Sequence, residues 1–129
     1  MRHLTRSTAL VAMTAALLAL VLALLGGCAA LAPPDGDPSI RGVITTITPG
    51  AGNLGAVLVE ETSSQGLSFD KASLAITKDT KLLKREGDTY VELAFGDLKK
   101  GMLVEVWITG PVRESYPVQA DADTLVVLE

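Results

Sequence analysis

One histidine and one cysteine are all this chain offers of the side chains most used in acid–base, nucleophilic and zinc chemistry. Both lie within its first 28 residues, as His3 and Cys28. From residue 29 onward the usual general base, the thiol nucleophile and most zinc ligation are therefore missing. Ser115 has no histidine partner in that stretch, which argues against a serine hydrolase. Asp and Glu are plentiful, so a carboxylate-pair glycosidase stays formally open, but such an enzyme needs a deep cleft. The glycines in Pro49-Gly50-Ala51-Gly52-Asn53-Leu54-Gly55 lack the lysine and the following helix of a phosphate loop. Asp121 and Asp123 fall on one face of a strand, yet a hard cation needs more oxygens than this pair supplies. They are read as a solvated face, and Asp35 and Asp37 as tether solvation. No metal site, no cofactor and no enzymatic activity are expected.

Cys28 has a different use. Arg2, His3 and Arg6 form a positive start, and positions 9–25 are apolar except for Thr14. This is the layout of a secretory signal peptide. The run ends in Leu25-Gly26-Gly27-Cys28, which resembles a lipobox, the sequence read by the lipoprotein signal peptidase. The small glycines let the backbone lie in a protease groove, and the Cys28 thiol would receive the lipid. Several acyl chains, palmitate among them, on one residue suffice for stable anchoring where one would be marginal. The alternative is an uncleaved transmembrane anchor, since the run is close to spanning length. Three regions are expected: a signal peptide at 1–27, the lipidated Cys28 with a Pro/Gly/Asp-rich tether at 28–39, and a β domain at 40–129.

The most distinctive stretch of the domain is Glu114-Ser115-Tyr116-Pro117. One reading makes Trp107, Glu114 and Tyr116 a ligand rim, since aromatic faces beside a carboxylate suit sugars or peptides. The other is structural. Pro117 biases Tyr116 to an extended backbone, Ser115 bonds local backbone, and Tyr116 with Pro117 packs near Trp107 or closes a barrel end. The structural reading is preferred.

These residues need elements to position them. RGVITTIT at 41–48 is β-branched and bounded by Pro49-Gly50, so it predicts a strand. Strands follow at 56–61, at 72–77 with Ala72, Leu74 and Ile76 on one face, and at 82–85 and 89–93 around a hairpin turn at Glu86-Gly87-Asp88. Residues 95–101 predict a single helical turn ended by Gly101. In LVEVWIT at 103–109, Val104, Val106 and Ile108 share the core face and Trp107 the opposite one. The last strand lies within 118–128. Val118, Ala120, Ala122, Val126 and Leu128 share one parity there and are the expected core face, with Gln119, Asp121 and Asp123 facing out. Leu125 and Val127 are apolar on the other face, so the end of the strand is covered on both sides or a bulge sits near Asp123-Thr124. Short strands with one helical turn predict an all-β domain, a small OB-like β-barrel of about five or six strands. An open β-sandwich is the runner-up.

DLKKGMLVEVW at 97–107, followed by GPVRESYPVQA at 110–120, resembles the YobA-like domain of unknown function of Gram-positive secreted proteins and lipoproteins. Those proteins combine a DLKxGxxVxVW strand with an ESYPxQAxA segment. The Gly42-Val43-Ile44 strand and Asp79-Thr80-Lys81 fit its strand openings. The resemblance covers most of 40–129 and implies a small OB-like barrel exported to the cell surface, with no established activity.

Beyond position 27 the chain carries nine basic and fifteen acidic residues. An acidic surface repels phosphate backbones, so nucleic acid is not an expected partner. The expectation is a monomeric, non-catalytic binding or accessory module on the extracytoplasmic face of the cell membrane. It is tethered there by lipid on Cys28 and takes an envelope protein or a glycan as ligand. The competing readings are a structural or assembly partner that binds envelope protein through the barrel surface, and a small envelope enzyme.

Overall fold

The computed structural model describes residues 31–50, 54–62 and 66–128. The signal-peptide and lipobox expectations, Cys28 included, fall outside the described residues. Among those described, no helix is long and apolar enough to cross a membrane. The strands are β1 (Ile40–Pro49), β2 (Gly55–Glu61), β3 (Lys71–Ile76), β4 (Lys81–Glu86), β5 (Thr89–Glu92), β6 (Leu103–Trp107), β7 (Val112–Arg113), β8 (Val118–Asp121) and β9 (Thr124–Val127). A 3-10 turn, Phe95–Asp97, precedes β6.

Alternation drives most of these elements. In β3, Ala72, Leu74 and Ile76 are buried and the residues between them are not, the period-two signature of a strand with one covered face. β2 does the same with Val57 and Val59. The β4–β5 hairpin turns at Gly87-Asp88, because Glu86 pairs with Thr89. Gly87 has φ of +61°, and glycine takes that conformation without the clash a Cβ brings. Two strands change parity partway. In β1, Ile44 pairs with Val59 but Thr46 pairs with Leu58, so Thr45 is an extra residue. This bulge turns Ile47 inward to pack on the core after Ile40 and Ile44. The second change lies at Asp123. Ala120 and Ala122 face the core before it, and Leu125 and Val127 after it. Of the two expectations for this segment, cover on both sides holds. In place of the bulge the strand ends at Asp121 and resumes at Thr124 with new partners, so the expected core positions Val126 and Leu128 fall in the smaller cluster and Leu125 and Val127 in the main core.

All nine strands belong to one sheet, in the order β5-β4-β9-β6-β1-β2-β3-β8-β7. β8 and β9 stand five positions apart in that order, yet only Ala122 and Asp123 join them. Five strand spacings in a flat sheet would be about 24 Å, and two linking residues reach roughly 10 Å. The sheet must therefore curl around its core. The expected closed barrel of five or six strands is corrected by this order: the domain is all-β, but its sheet is open, with β5 and β7 at the edges. Two features distinguish it from the expected barrel. The last strand splits at Ala122-Asp123 and changes partners, from β3 to β4 and β6. The β4–β5 hairpin and the two-residue β7 then extend the sheet beyond both halves of that strand. The β-sandwich alternative falls with it, since the described residues form a single sheet.

The main core fills the inside of the curl with Ile40, Ile44, Val57, Val59, Leu74, Ile76, Val104, Val106, Leu125 and Val127, among others. A smaller cluster of Leu83, Trp107 and Val126 lies apart from it, with Tyr90 and Leu128 packed against it. Opposite charges on neighbouring strands pair: Arg41 with Glu105 and Lys71 with Glu60 at 3.2 Å. A hydrogen bond with Thr45, and next the partnership with Lys71, hold the Glu60 carboxyl below its ordinary value.

The end of the expected tether is built into the domain. Pro38 is buried. Ser39 donates its N–H to the Val106 carbonyl at 2.8 Å, and its Oγ accepts from the Ile108 N–H at 3.0 Å. The Gly36 carbonyl accepts from the Trp107 indole at 3.2 Å.

Candidate functional site

Where the last strand changes partners, the fold leaves a cleft of about 320 Å³. Three stretches far apart in sequence meet there: Thr77 and Asp79 from the β3–β4 turn, Thr109 to Pro111 with Arg113 around β7, and Ala120 to Asp123 at the bend. The backbone around the bend is tightly committed. Ala122 N–H bonds the Ala75 carbonyl at 3.0 Å, Asp123 N–H the Trp107 carbonyl at 2.9 Å, and Lys81 N–H the Asp123 carbonyl at 3.0 Å. The Thr80 hydroxyl accepts from the Thr77 N–H at 3.0 Å and donates to the Ala122 carbonyl at 2.7 Å. The Thr77 hydroxyl accepts from the Asp79 N–H at 3.2 Å, the local turn chemistry expected of threonine. These bonds fasten the Asp79 turn to the bend that carries Asp121 and Asp123.

Within the cleft Asp123 is engaged by hydroxyls. Its Oδ1 accepts from Thr109 at 3.3 Å and its Oδ2 from Thr124 at 2.9 Å. The latter bond satisfies Thr124, whose side chain is buried among apolar neighbours. Asp79, Asp121 and Arg113 are exposed. Three carboxylates against one guanidinium give the cleft a formal charge of −2. Among the described residues no group of three or more His, Cys, Asp or Glu is placed to hold a metal ion. The arrangement offers hydroxyls and charges to a small polar ligand.

The residues proposed for a ligand rim are placed differently. Trp107 is 8% exposed and packs with Leu83 and Val126, under the chain at Gly36. Tyr116 is 74% exposed, and its hydroxyl bonds Asp70 Oδ2 at 3.3 Å. The expected packing of Tyr116 near Trp107 is thus replaced by a polar contact with the segment before β3. Glu114 is exposed after β7 and does not line the cleft. The Ser115 hydroxyl bonds the Pro117 carbonyl at 2.8 Å, within the expected turn; the Tyr116–Pro117 peptide is cis.

Sequence reasoning considered Asp121 and Asp123 but did not bring Thr77, Asp79, Thr109 and Arg113 to them. One signal was present: Arg113 is the sole basic residue after Lys100.

A family model described as protein of unknown function (DUF3221) matches residues 58–129, which contain every residue of the cleft but not β1. No curated protein and no solved structure matches the chain. The match spans more than half of the chain, which therefore belongs to the DUF3221 family of proteins of unknown function.

Proposed function

We propose that this chain is an extracytoplasmic lipoprotein, held to the cell membrane through lipid on Cys28, whose domain is a non-catalytic binding module. The basic start, the apolar run and Leu25-Gly26-Gly27-Cys28 support the export and the anchor. The likeness to the YobA-like domain of secreted proteins and lipoproteins agrees with them. The cleft beside the β8–β9 bend carries the binding reading. It joins three loops on a rigid frame and presents hydroxyls and charges, and no histidine or cysteine occurs in the domain to give it chemistry. Rigid elements that position loop residues are the usual basis of a binding site. Envelope glycans and envelope proteins are the ligands in reach of such a module. Its negative formal charge disfavours nucleic acid.

Titration of the isotope-labelled protein with soluble glycan and peptide fragments of the cell envelope tests the binding reading. Backbone shifts concentrated on Thr77, Asp79, Thr109 to Arg113 and Asp121 to Asp123 are the expected result. Shifts confined to Tyr116 and Glu114 would move the site to the sequence-proposed rim, and no shifts from any fragment would count against a binding module.

The anchor is tested separately. Cys28→Ala is expected to abolish fatty-acid labelling and to leave the precursor uncleaved at Gly27-Cys28. Mass spectrometry of the protein recovered from bacterial membranes reads both. A normally processed, membrane-retained mutant would refute the anchor and return the apolar run to the transmembrane alternative.

A further inference from the structure

The cleft holds charges of both signs that the fold itself does not neutralise. Two ion pairs join adjacent strands elsewhere on the sheet, Arg41 with Glu105 and Lys71 with Glu60. In the cleft the carboxylates of Asp79 and Asp121 and the guanidinium of Arg113 form no ion pair among the described residues, although all three line one cavity. Asp123 is not free in this sense, because the hydroxyls of Thr109 and Thr124 occupy its two oxygens. It forms a fixed wall. The volume, about 320 Å³, is at the small end of ligand sites.

Resting on the binding reading above, we infer that the cleft takes a small zwitterion, a primary ammonium with an anionic group a few bonds away. The ammonium lies between Asp79 and Asp121, and the anion faces Arg113. An ammonium offers three donors to carboxylate acceptors, and a guanidinium offers a planar fork to a carboxylate or phosphate. Charge selects the orientation. An anion alone meets a cleft of formal charge −2, and a neutral sugar leaves the charges unpaired. The same chemistry occurs in a free amino acid or short peptide and in the phosphoethanolamine headgroup of a lipid.

Two probes separate those sources. The full chain, in a non-ionic maltoside detergent that carries no amine, is titrated with diglycine and with glycerophosphoethanolamine, a phosphodiester like the lipid headgroup, followed by calorimetry and amide shifts. Saturable binding of at least one probe is expected, with shifts on the cleft residues. Preference for diglycine assigns the peptide source, and preference for glycerophosphoethanolamine the lipid headgroup. N-acetyl-diglycine, which lacks the ammonium, is expected to bind at least about 10-fold more weakly than diglycine, the loss of one charge-assisted bond. Asp121→Asn and Asp79→Asn should weaken the bound probe similarly, and Arg113→Gln should reduce its binding while sparing ethanolamine. Glu114→Gln, outside the cleft, should change nothing. The amide spectrum of each variant reports whether it remains folded.

The inference is overturned if neither probe binds saturably up to about 50 mM, a range that still detects millimolar affinity. It is overturned equally if binding ignores N-acetylation and the Asp121→Asn change. A neutral glycan that shifts the cleft residues where both zwitterions fail would sink this inference alone and leave the binding module standing.

Discussion

Replacing Trp107 by alanine is expected to destabilise the domain by about 3–5 kcal/mol, the range for a buried aromatic truncated to a methyl group. The ring is 8% exposed and packs on Leu83 and Val126, with Tyr90 and Leu128 beside it. For a domain of roughly 100 residues, each kcal/mol moves the melting midpoint by about 4–8 °C. The fall should thus be about 12–40 °C, and the loss of about 3–5 kcal/mol is a large share of the roughly 5–15 kcal/mol of a typical domain. The indole also donates to the Gly36 carbonyl, so the ring holds the start of the domain against its outer face. Trp107→Phe separates these contributions. It keeps most of the packing and removes the N–H, and should lower stability by about 1 kcal/mol for the lost hydrogen bond, beyond any change in packing. Thermal melts followed by circular dichroism measure both. An unchanged midpoint for Trp107→Ala would mean that the ring is not a packing element and would restore it as a candidate rim residue.

Gly42→Ala should have an effect of the same order for a different reason. β1 lies in the middle of the sheet, between β6 and β2, and Gly42 pairs with Val104 on one side and Glu61 on the other. A Cβ at this position would fall far inside van der Waals contact with the Glu60 carbonyl oxygen and 2.9 Å from the Glu61 nitrogen. Both neighbours are backbone, so no side chain can swing aside. The central strands must part just before the Thr45 bulge, where the pairing already shifts. Overpacking of this kind costs about 1–3 kcal/mol and occasionally more, and backbone on both sides places Gly42→Ala at the upper end. Gly96→Ala provides the contrast. Nothing lies within 4 Å of the Cβ it would gain, and it should stay within about 0.5 kcal/mol of the parent, as exposed sites do. Urea denaturation of the two variants is the measurement. Equal midpoints would mean that β1 and β2 approach less closely at Gly42 than the backbone positions require.

These two substitutions mark the line between what was legible in the residues and what was not. Trp107 could be assigned to the face opposite Val104 and Val106 by counting alone. Whether that face was open or covered depended on Gly36, Leu83 and Val126, from three other parts of the chain. Gly42 sits in a β-branched run where a glycine weakens a strand, and nothing near it in sequence says why. The reason is the crossing of β2, whose Glu60 lies eighteen positions further on.

By itself the amino-acid sequence determined that the described domain is all-β, that 71–76 alternates, that a hairpin turns after Glu86, and that a short helical turn precedes β6. Each of these follows from neighbours a few residues apart, through side-chain period, β-branching and the freedom of glycine at Gly87. The residue inventory likewise bounded the chemistry, since no arrangement can supply a histidine that is absent. Only the tertiary structure decided that the sheet stays open, where its parity flips, and which polar groups share a cleft. The extra residue at Thr45 counts as such only against the partner strand, so the pattern of β1 cannot reveal it, and near Asp123 the pattern left two readings between which only the partner strands decide. Asp79, Arg113 and Asp121 meet because a continuous segment leaves β3 for β4 at Ala122-Asp123. That exchange of partners is a long-range hydrogen-bonding choice, made by the sheet as a whole.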